Sequence, residues 1–290
     1  MIAKIYIALM LSMLGSISQV SANCSARIVG HTYTVLPSYN PFSPIDVLAQ
    51  KNVYIENISG QACRYRVYFR RNPAIGQLSG RLGYNVVDGQ GQPLLLENVG
   101  FSAPRFLLSP QATGNTTQTV GYSVSVGRGQ IISPSLLTDR IEVVLFSENG
   151  QTEIDRRDLY IWINVESVSM VNLTGGGVGT TVQFGSLITG MTRTLILEAR
   201  SNIQYKISLI SSNSGNLQLD PPTPGRVWSI PYRMLIDGAP IDLTQQTYIQ
   251  GASLTSGLQS HSITFQIMDA ESKRSGRYKD VITARISPIH

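Results

Sequence analysis

Apolar and polar residues alternate with a period of two along most of this chain. The runs Tyr65-Arg66-Val67-Tyr68-Phe69, Ile141-Glu142-Val143-Val144-Leu145-Phe146, Leu159-Tyr160-Ile161-Trp162-Ile163-Asn164-Val165, Tyr205-Lys206-Ile207-Ser208-Leu209-Ile210 and Ser262-Ile263-Thr264-Phe265-Gln266-Ile267 show it, with Gly, Pro, Asn and Ser between them. Such alternation sets one face of a strand on a core and the other in solvent, and the interrupting residues are turn formers. Beyond residue 22 no stretch of a dozen residues holds a helical period of about 3.6 with caps at its ends. The pattern predicts all-β sandwich domains.

The chain also repeats itself. Ala62-Cys63-Arg64-Tyr65-Arg66-Val67-Tyr68 parallels Asn202-Ile203-Gln204-Tyr205-Lys206-Ile207-Ser208. Leu82-Gly83-Tyr84-Asn85-Val86-Val87-Asp88-Gly89 parallels Ile230-Pro231-Tyr232-Arg233-Met234-Leu235-Ile236-Asp237-Gly238, with one extra residue before the Asp-Gly turn. Thr138-Asp139-Arg140-Ile141-Glu142-Val143 parallels Lys279-Asp280-Val281-Ile282-Thr283-Ala284. The matches keep their order, which implies two copies of one domain. The expected division is residues 23–165 and 166–290.

The copies differ at their ends. Past the strand that follows Asp139, the first copy runs through a charged turn into the alternating strand of residues 159–165; past the strand that follows Asp280, the second reaches His290 with no such strand. The expectation is therefore two immunoglobulin-like Greek-key β-sandwiches in tandem, the second lacking its final strand. That strand normally covers one side of the core and satisfies its neighbour's backbone groups. A groove without it invites strand addition from another chain, and here Val281, Ile282, Ala284 and Ile286 would border it. A rearranged segment of the same domain filling the groove is the alternative.

Residues 1–22 carry Lys4, an apolar stretch from Ile5 to Leu14 and a tail ending Val20-Ser21-Ala22, the pattern of an export signal cut after Ala22. No later apolar run approaches the roughly 20 residues of a spanning helix. In an oxidising compartment Cys24 and Cys63 are expected to form one disulfide. It would close a loop of about 40 residues and stabilise the fold by roughly 3–4 kcal/mol. A lipid anchor on Cys24 and a pair of free thiols are the alternatives.

Composition narrows the function. Charged residues are 14 % of the chain against about 25 % in an average globular protein, which disfavours helices with ion-pair-laced faces. The net charge of +5 contains no block of five or six like charges, so neither nucleic acid nor an anionic membrane is an expected partner. Three histidines and two cysteines make no zinc set and leave little imidazole for acid-base chemistry. No cofactor is expected. The carboxylate pairs Asp139/Glu142 and Asp155/Asp158 are the candidates for glycoside hydrolysis, with a solvated turn the plainer reading of residues 155–158. Gly175-Gly176-Gly177-Val178-Gly179 leads into a strand, not a helix, and is read as a loop with no phosphate site. His31, His261 and His290 are read as surface residues and Trp162 as packed, although Trp162, Tyr122 and Trp228 have rings suited to stacking on sugars.

Four segments of the second copy carry a family resemblance: Val182-Gln183-Phe184-Gly185-Ser186-Leu187, Tyr205-Lys206-Ile207-Ser208-Leu209, Tyr232-Arg233-Met234-Leu235-Ile236-Asp237-Gly238 and Gly276-Arg277-Tyr278-Lys279-Asp280-Val281-Ile282-Thr283-Ala284-Arg285-Ile286. Together they resemble the successive motifs of the spore coat protein U domain, the pilin module of archaic chaperone-usher pili in Gram-negative bacteria. The first copy is a more divergent match, through Cys24, Tyr39-Asn40-Pro41-Phe42-Ser43-Pro44, Cys63 and residues 84–88. The second copy lacks the cysteines that family members often carry, and the first has Leu137-Thr138 where a Gly-x-Tyr lead would precede Asp139.

The resemblance implies donor-strand complementation. A periplasmic chaperone lends the missing strand during export through an outer-membrane usher, and the next subunit's N-terminal extension replaces it in the fibre. Only Asn23 stands between the expected cut and Cys24, so the implied place is the fibre tip, at the cell surface. The implied function is adhesion to abiotic or host surfaces and biofilm formation; a minor structural pilin and a secreted carbohydrate-binding sandwich are the alternatives. Ile75, Leu78, Phe101, Ile131 and Ile132 sit in segments that read as loops and are the candidate surface-binding residues, against the alternative that they tuck into the sandwich ends.

Overall fold

The computed structural model describes residues 24–30, 33–71, 82–96, 105–111, 113–174, 179–224, 226–251 and 258–289. The expected export signal, the candidate loop residues Ile75, Leu78 and Phe101, most of the glycine run, His31 and His290 lie outside them. The described residues contain strands and no helix.

The first ten strands are β1 (Ala26–Val29), β2 (Tyr33–Val35), β3 (Val47–Asn57), β4 (Tyr65–Arg71), β5 (Tyr84–Val87), β6 (Leu95–Leu96), β7 (Leu107–Leu108), β8 (Thr117–Val126), β9 (Ser135–Ser147) and β10 (Glu153–Val165). They form one sheet in the order β1-β3-β8-β5 and another in the order β2-β10-β9-β4, with β6 and β7 flanking β4. The chain enters in one sheet, where β1 runs antiparallel to β3, and crosses to the other, where β2 runs parallel to β10. Inward side chains of both sheets merge into one apolar cluster reaching from Ala26 to Val165, with Tyr39, Tyr65, Phe69, Ile141 and Leu145 fully buried.

The next ten are β11 (Ser169–Leu173), β12 (Thr192–Ser201), β13 (Tyr205–Ser211), β14 (Asn216–Asp220), β15 (Ser229–Ile236), β16 (Ala239–Ile241), β17 (Thr247–Gly251), β18 (Gln259–Ile267), β19 (Arg277–Lys279) and β20 (Ile282–Pro288). One sheet has the order β11-β12-β18-β15-β14-β19 and the other β17-β13-β20. A separate apolar cluster, from Leu197 to Ile267, lies between them. Asp237 and Gly238 join β15 to β16 with φ of 50° and 83°, the two positive values that a type I′ hairpin needs and that Asp-Gly supplies at low cost.

The two sandwiches share register as well as order. Tyr65 faces Ser147 and Arg71 faces Ile141 across β4–β9, as Tyr205 faces Pro288 and Ser211 faces Ile282 across β13–β20. Tyr84 faces Val126 as Tyr232 faces Ile267, and Ile55 faces Gln118 as Ala199 faces Gln259. Strands β1, β3, β4, β5, β8 and β9 thus correspond to β11, β12, β13, β15, β18 and β20. Among the described residues β10 has no counterpart.

Two covalent or polar ties hold the ends. Cys24 precedes β1 and Cys63 precedes β4, so their disulfide joins the two sheets of the first sandwich. At the opposite end, where the chain leaves β10, buried Asn202 donates from Nδ2 to the carbonyls of Ile132 (3.0 Å) and Glu166 (2.7 Å) and accepts from the Val168 amide at 2.9 Å.

His261 corrects the surface reading. It sits on the inward face of β18 at the register position of Val120, only 4 % exposed, with Nδ1 2.8 Å from Asp237 Oδ2. That hydrogen bond holds the Asp237 carboxyl below its usual range. A period-two pattern assigns a histidine to a face only when the strand's register is known, and the sequence alone left that open.

Breaking the sheet-to-sheet tie should be costly. Cys24→Ser is expected to lower the stability of the first sandwich by roughly 3–4 kcal/mol, read as a lower denaturant midpoint for its transition; an unchanged midpoint would show that the bond contributes nothing.

Candidate functional site

The site is assembled around the strand that follows each conserved-in-register aspartate of the repeat. In the first sandwich Asp139 is buried at the inner face of β9 and accepts from the Tyr84 hydroxyl at 2.5 Å, with Arg71 Nε 3.6 Å away. In the second, Asp280 accepts from the Tyr232 hydroxyl and Ser211 Oγ, both at 2.6 Å, and from the Asn213 amide at 3.0 Å. Ser211 occupies the register position of Arg71. Burial first, and the adjoining carboxylate second, push both tyrosine hydroxyls well above their ordinary range. The clamps hold equivalent residues of the two copies, Asp139 within β9 and Asp280 just ahead of β20.

What flanks that strand differs between the copies. β9 is a central strand, bonded to β4 on one side and along almost its whole length to β10 on the other. Leu159, Ile161, Ile163 and Val165 of β10 turn inward, opposite Ile141, Asp139, Leu137 and Ser135, and close the sandwich. Ile141, Val143 and Leu145 are consequently 0 %, 4 % and 0 % exposed. β20 is bonded to β13 alone, and among the described residues its other edge has no ladder partner. Ile282, Ala284 and Ile286, which hold the positions of those three residues, are only half-buried although they touch the second core. Val281 lies just ahead of β20, 56 % exposed, its carbonyl accepting from Ser212.

A second segment shows the same gap. In the first sandwich β2 belongs to its sheet solely through β10, supported by the Leu36 and Tyr39 amides donating to the Trp162 and Asn164 carbonyls. In the second sandwich the stretch after β11, residues 179–184, carries no strand, yet Val182 and Phe184 pack partly against the core. Among the described residues, then, the second core is flanked by a stretch without a ladder and by a strand, β20, with one edge unpaired.

Other candidates fall elsewhere. Ile131 and Ile132 are half-buried at the end of the first sandwich where the chain leaves it, and the Ile132 carbonyl is bonded to Asn202. The four carboxylates weighed for hydrolysis are engaged separately: Asp139 in its clamp, Glu142 by Arg70 and Arg156, Asp155 by the Ile28 amide at 2.6 Å and Asp158 by Arg140 at 2.7 Å. No group of three or more metal-ligating side chains occurs among the described residues. Trp162 is a second correction: it is 40 % exposed on the outer face of β10, stacked on Tyr33, because the inward positions of this strand belong to its odd-numbered aliphatic neighbours.

Comparison with known proteins gives likenesses of structure without likeness of sequence. No family model matches the chain, and no curated protein matches it. The tip adhesion subunit complex CsuC–CsuE from archaic chaperone-usher Csu pili of Acinetobacter baumannii is similar over 91 % of this chain and 99 % of that one, at 13 % identity and a TM-score of 0.46. The CFA/I adhesin CfaE of enterotoxigenic E. coli is similar over 89 % and 92 %, at 10 % identity and a TM-score of 0.36. The CupB6 tip adhesin from Pseudomonas aeruginosa is similar over 91 % and 93 %, at 11 % identity and a TM-score of 0.34.

The clamps make a pH prediction. A hydroxyl whose folded pKa lies above its unfolded value of about 10 binds its proton more tightly in the native state, so its contribution is whole below about pH 10 and declines above it. Both sandwiches should lose stability progressively as pH rises above about 10, measured by denaturant melts. Tyr84→Phe and Tyr232→Phe should each flatten that decline for their own sandwich while costing roughly 1.5–3 kcal/mol at neutral pH.

Proposed function

We propose that the second sandwich, residues 166–290, accepts an extended strand from another polypeptide along β20, and that the chain is an exported tip adhesin of a chaperone-usher pilus. In this reading a periplasmic chaperone lends the strand first and a neighbouring pilin then replaces it, after passage through the outer-membrane usher. The first sandwich, residues 23–165, supplies its own closing strand in β10 and is left to bind a surface. One observation carries the reading: at identical register, β9 is covered by β10, while among the described residues the outer edge of β20 has no ladder partner and its three inward side chains are half-exposed. A bare edge beside an incompletely covered core is the geometry that β-strand addition fills.

The first sandwich is also the template for the test. Fusing a second copy of residues 148–165 behind His290 would rebuild the β9–β10 hairpin on β20. The buried aliphatic side chains of such a strand are worth roughly 1.5–3 kcal/mol each before its ordering entropy is subtracted. The second sandwich should therefore gain several kcal/mol, and backbone amides of residues 179–184 and of β20 should gain protection from hydrogen exchange. One residue inserted into the fused turn turns the apolar face outward and should abolish the gain. A folded fusion protein with no added protection at β20 would overturn the reading.

A further inference from the structure

The outer face of the sheet β2-β10-β9-β4 is roofed at one end and bare at the other. At the roofed end Phe106 packs on Tyr68, Val144 and Phe146, with the Arg66 guanidinium 4.4 Å over the Phe106 ring. At the bare end, cross-strand register gathers Tyr33 and Val35 of β2, Tyr160 and Trp162 of β10 and Leu136 of β9. They are 50 %, 52 %, 39 %, 40 % and 65 % exposed. Tyr33 and Trp162 stack with ring centroids 5.9 Å apart and planes 19° from parallel. Alternation on β10 requires apolar residues only on the inward face, already supplied by Leu159, Ile161, Ile163 and Val165. Tyr160 and Trp162 are therefore surplus to the core, and large aromatic residues grouped on a surface mark interaction sites.

The polar groups around the slab select its occupant. Thr138 and Asn164 are exposed beside Trp162, the first directly opposite it in the ladder and the second two residues along the same face. Arg140 lies opposite Tyr160 and bonds Asp158 at 2.7 Å. Toward the roof, Arg70 and Arg156 are matched by Glu142 and Glu153. At the bare end the charge is balanced, Arg140 against Asp158, and the further cation Arg66 lies at the roofed end over Phe106; balanced charge around the slab disfavours an anionic polysaccharide or anionic lipid headgroup. The face is interleaved with hydrogen-bonding groups, which an acyl chain cannot use and whose desolvation it would leave unrepaid. It is also an open sheet face, suited to an extended ligand and not to the enclosure of a small molecule. A pyranose combines an apolar C–H face with a rim of hydroxyls and matches both features.

We infer that this slab, centred on Tyr33, Tyr160 and Trp162, binds a neutral polysaccharide. The inference goes beyond the strand-acceptor reading and does not depend on it, since the slab lies wholly on the first sandwich. Trp162 and Trp228 are the two tryptophans of the chain, so Trp228→Phe leaves Trp162 as the sole indole reporter. The full chain carrying that change is titrated with cellohexaose and chitohexaose as neutral probes, heparin oligosaccharide as the anionic one and phosphatidylcholine vesicles as the lipid one. Saturable change in Trp162 emission with a neutral hexasaccharide is expected, weakened about tenfold or more by Tyr33→Ala. Calorimetry should show the same loss for Trp162→Ala, and Val227→Asp, at an exposed site on the second sandwich, should leave binding intact; circular dichroism verifies that each variant is folded. Absence of binding to both neutral hexasaccharides, preference for heparin or vesicles, or binding indifferent to Tyr33→Ala and Trp162→Ala would each overturn the inference.

Discussion

The structure turns on what lies beside one strand. A strand packed on a core has two edges and one inward face, and all three must be covered: the edges because unpaired buried amides and carbonyls are costly, the face because exposed aliphatic groups forfeit the burial that drives folding. In the first sandwich β9 has both edges bonded and its inward residues sealed. In the second, β20 has one bonded edge and inward residues that reach solvent. The difference extends beyond β20, because β10 in the first copy also anchors β2, and the described residues 179–184 of the second copy hold no ladder. One strand position therefore governs two neighbouring segments at once.

The Tyr–Asp clamps explain how the two copies keep the same register despite this difference. A carboxylate held by a tyrosine hydroxyl and a neighbour from the next strand fixes β9 from within, at Asp139, and β20 from just ahead of it, at Asp280. Such a lock sits on the side of the strand away from the open edge, so it holds with or without a closing strand. Buried hydrogen bonds to a charged acceptor are among the stronger single polar interactions in a fold.

The outer face of the first sandwich obeys a different rule. Its roofed end is finished as a small second core around Phe106, while the end near β2 is left as exposed aromatic surface with balanced charge. In β10 the inward positions are committed to packing, while the outward ones carry the exposed Tyr160 and Trp162.

Much of this was legible in the sequence. Period-two alternation set the all-β class, and the Tyr84/Tyr232 and Asp139/Asp280 parallels marked pairs that the fold brings into contact in both copies. The alternating run read after Asp139 is β10, and among the described residues the matching edge of β20 has no ladder partner. These signals survive in one dimension because alternation and repeat order are local properties of the chain. Which face of a strand looks inward is not local: it depends on register against a neighbour distant in sequence, and a shift of one residue reverses it. Hence Trp162, read as packed, stands in solvent, and His261, read as exposed, lies in the core. The stacking of Tyr33 on Trp162 joins residues far apart in the chain through the parallel pairing of β2 with β10, a contact that only the tertiary structure decided.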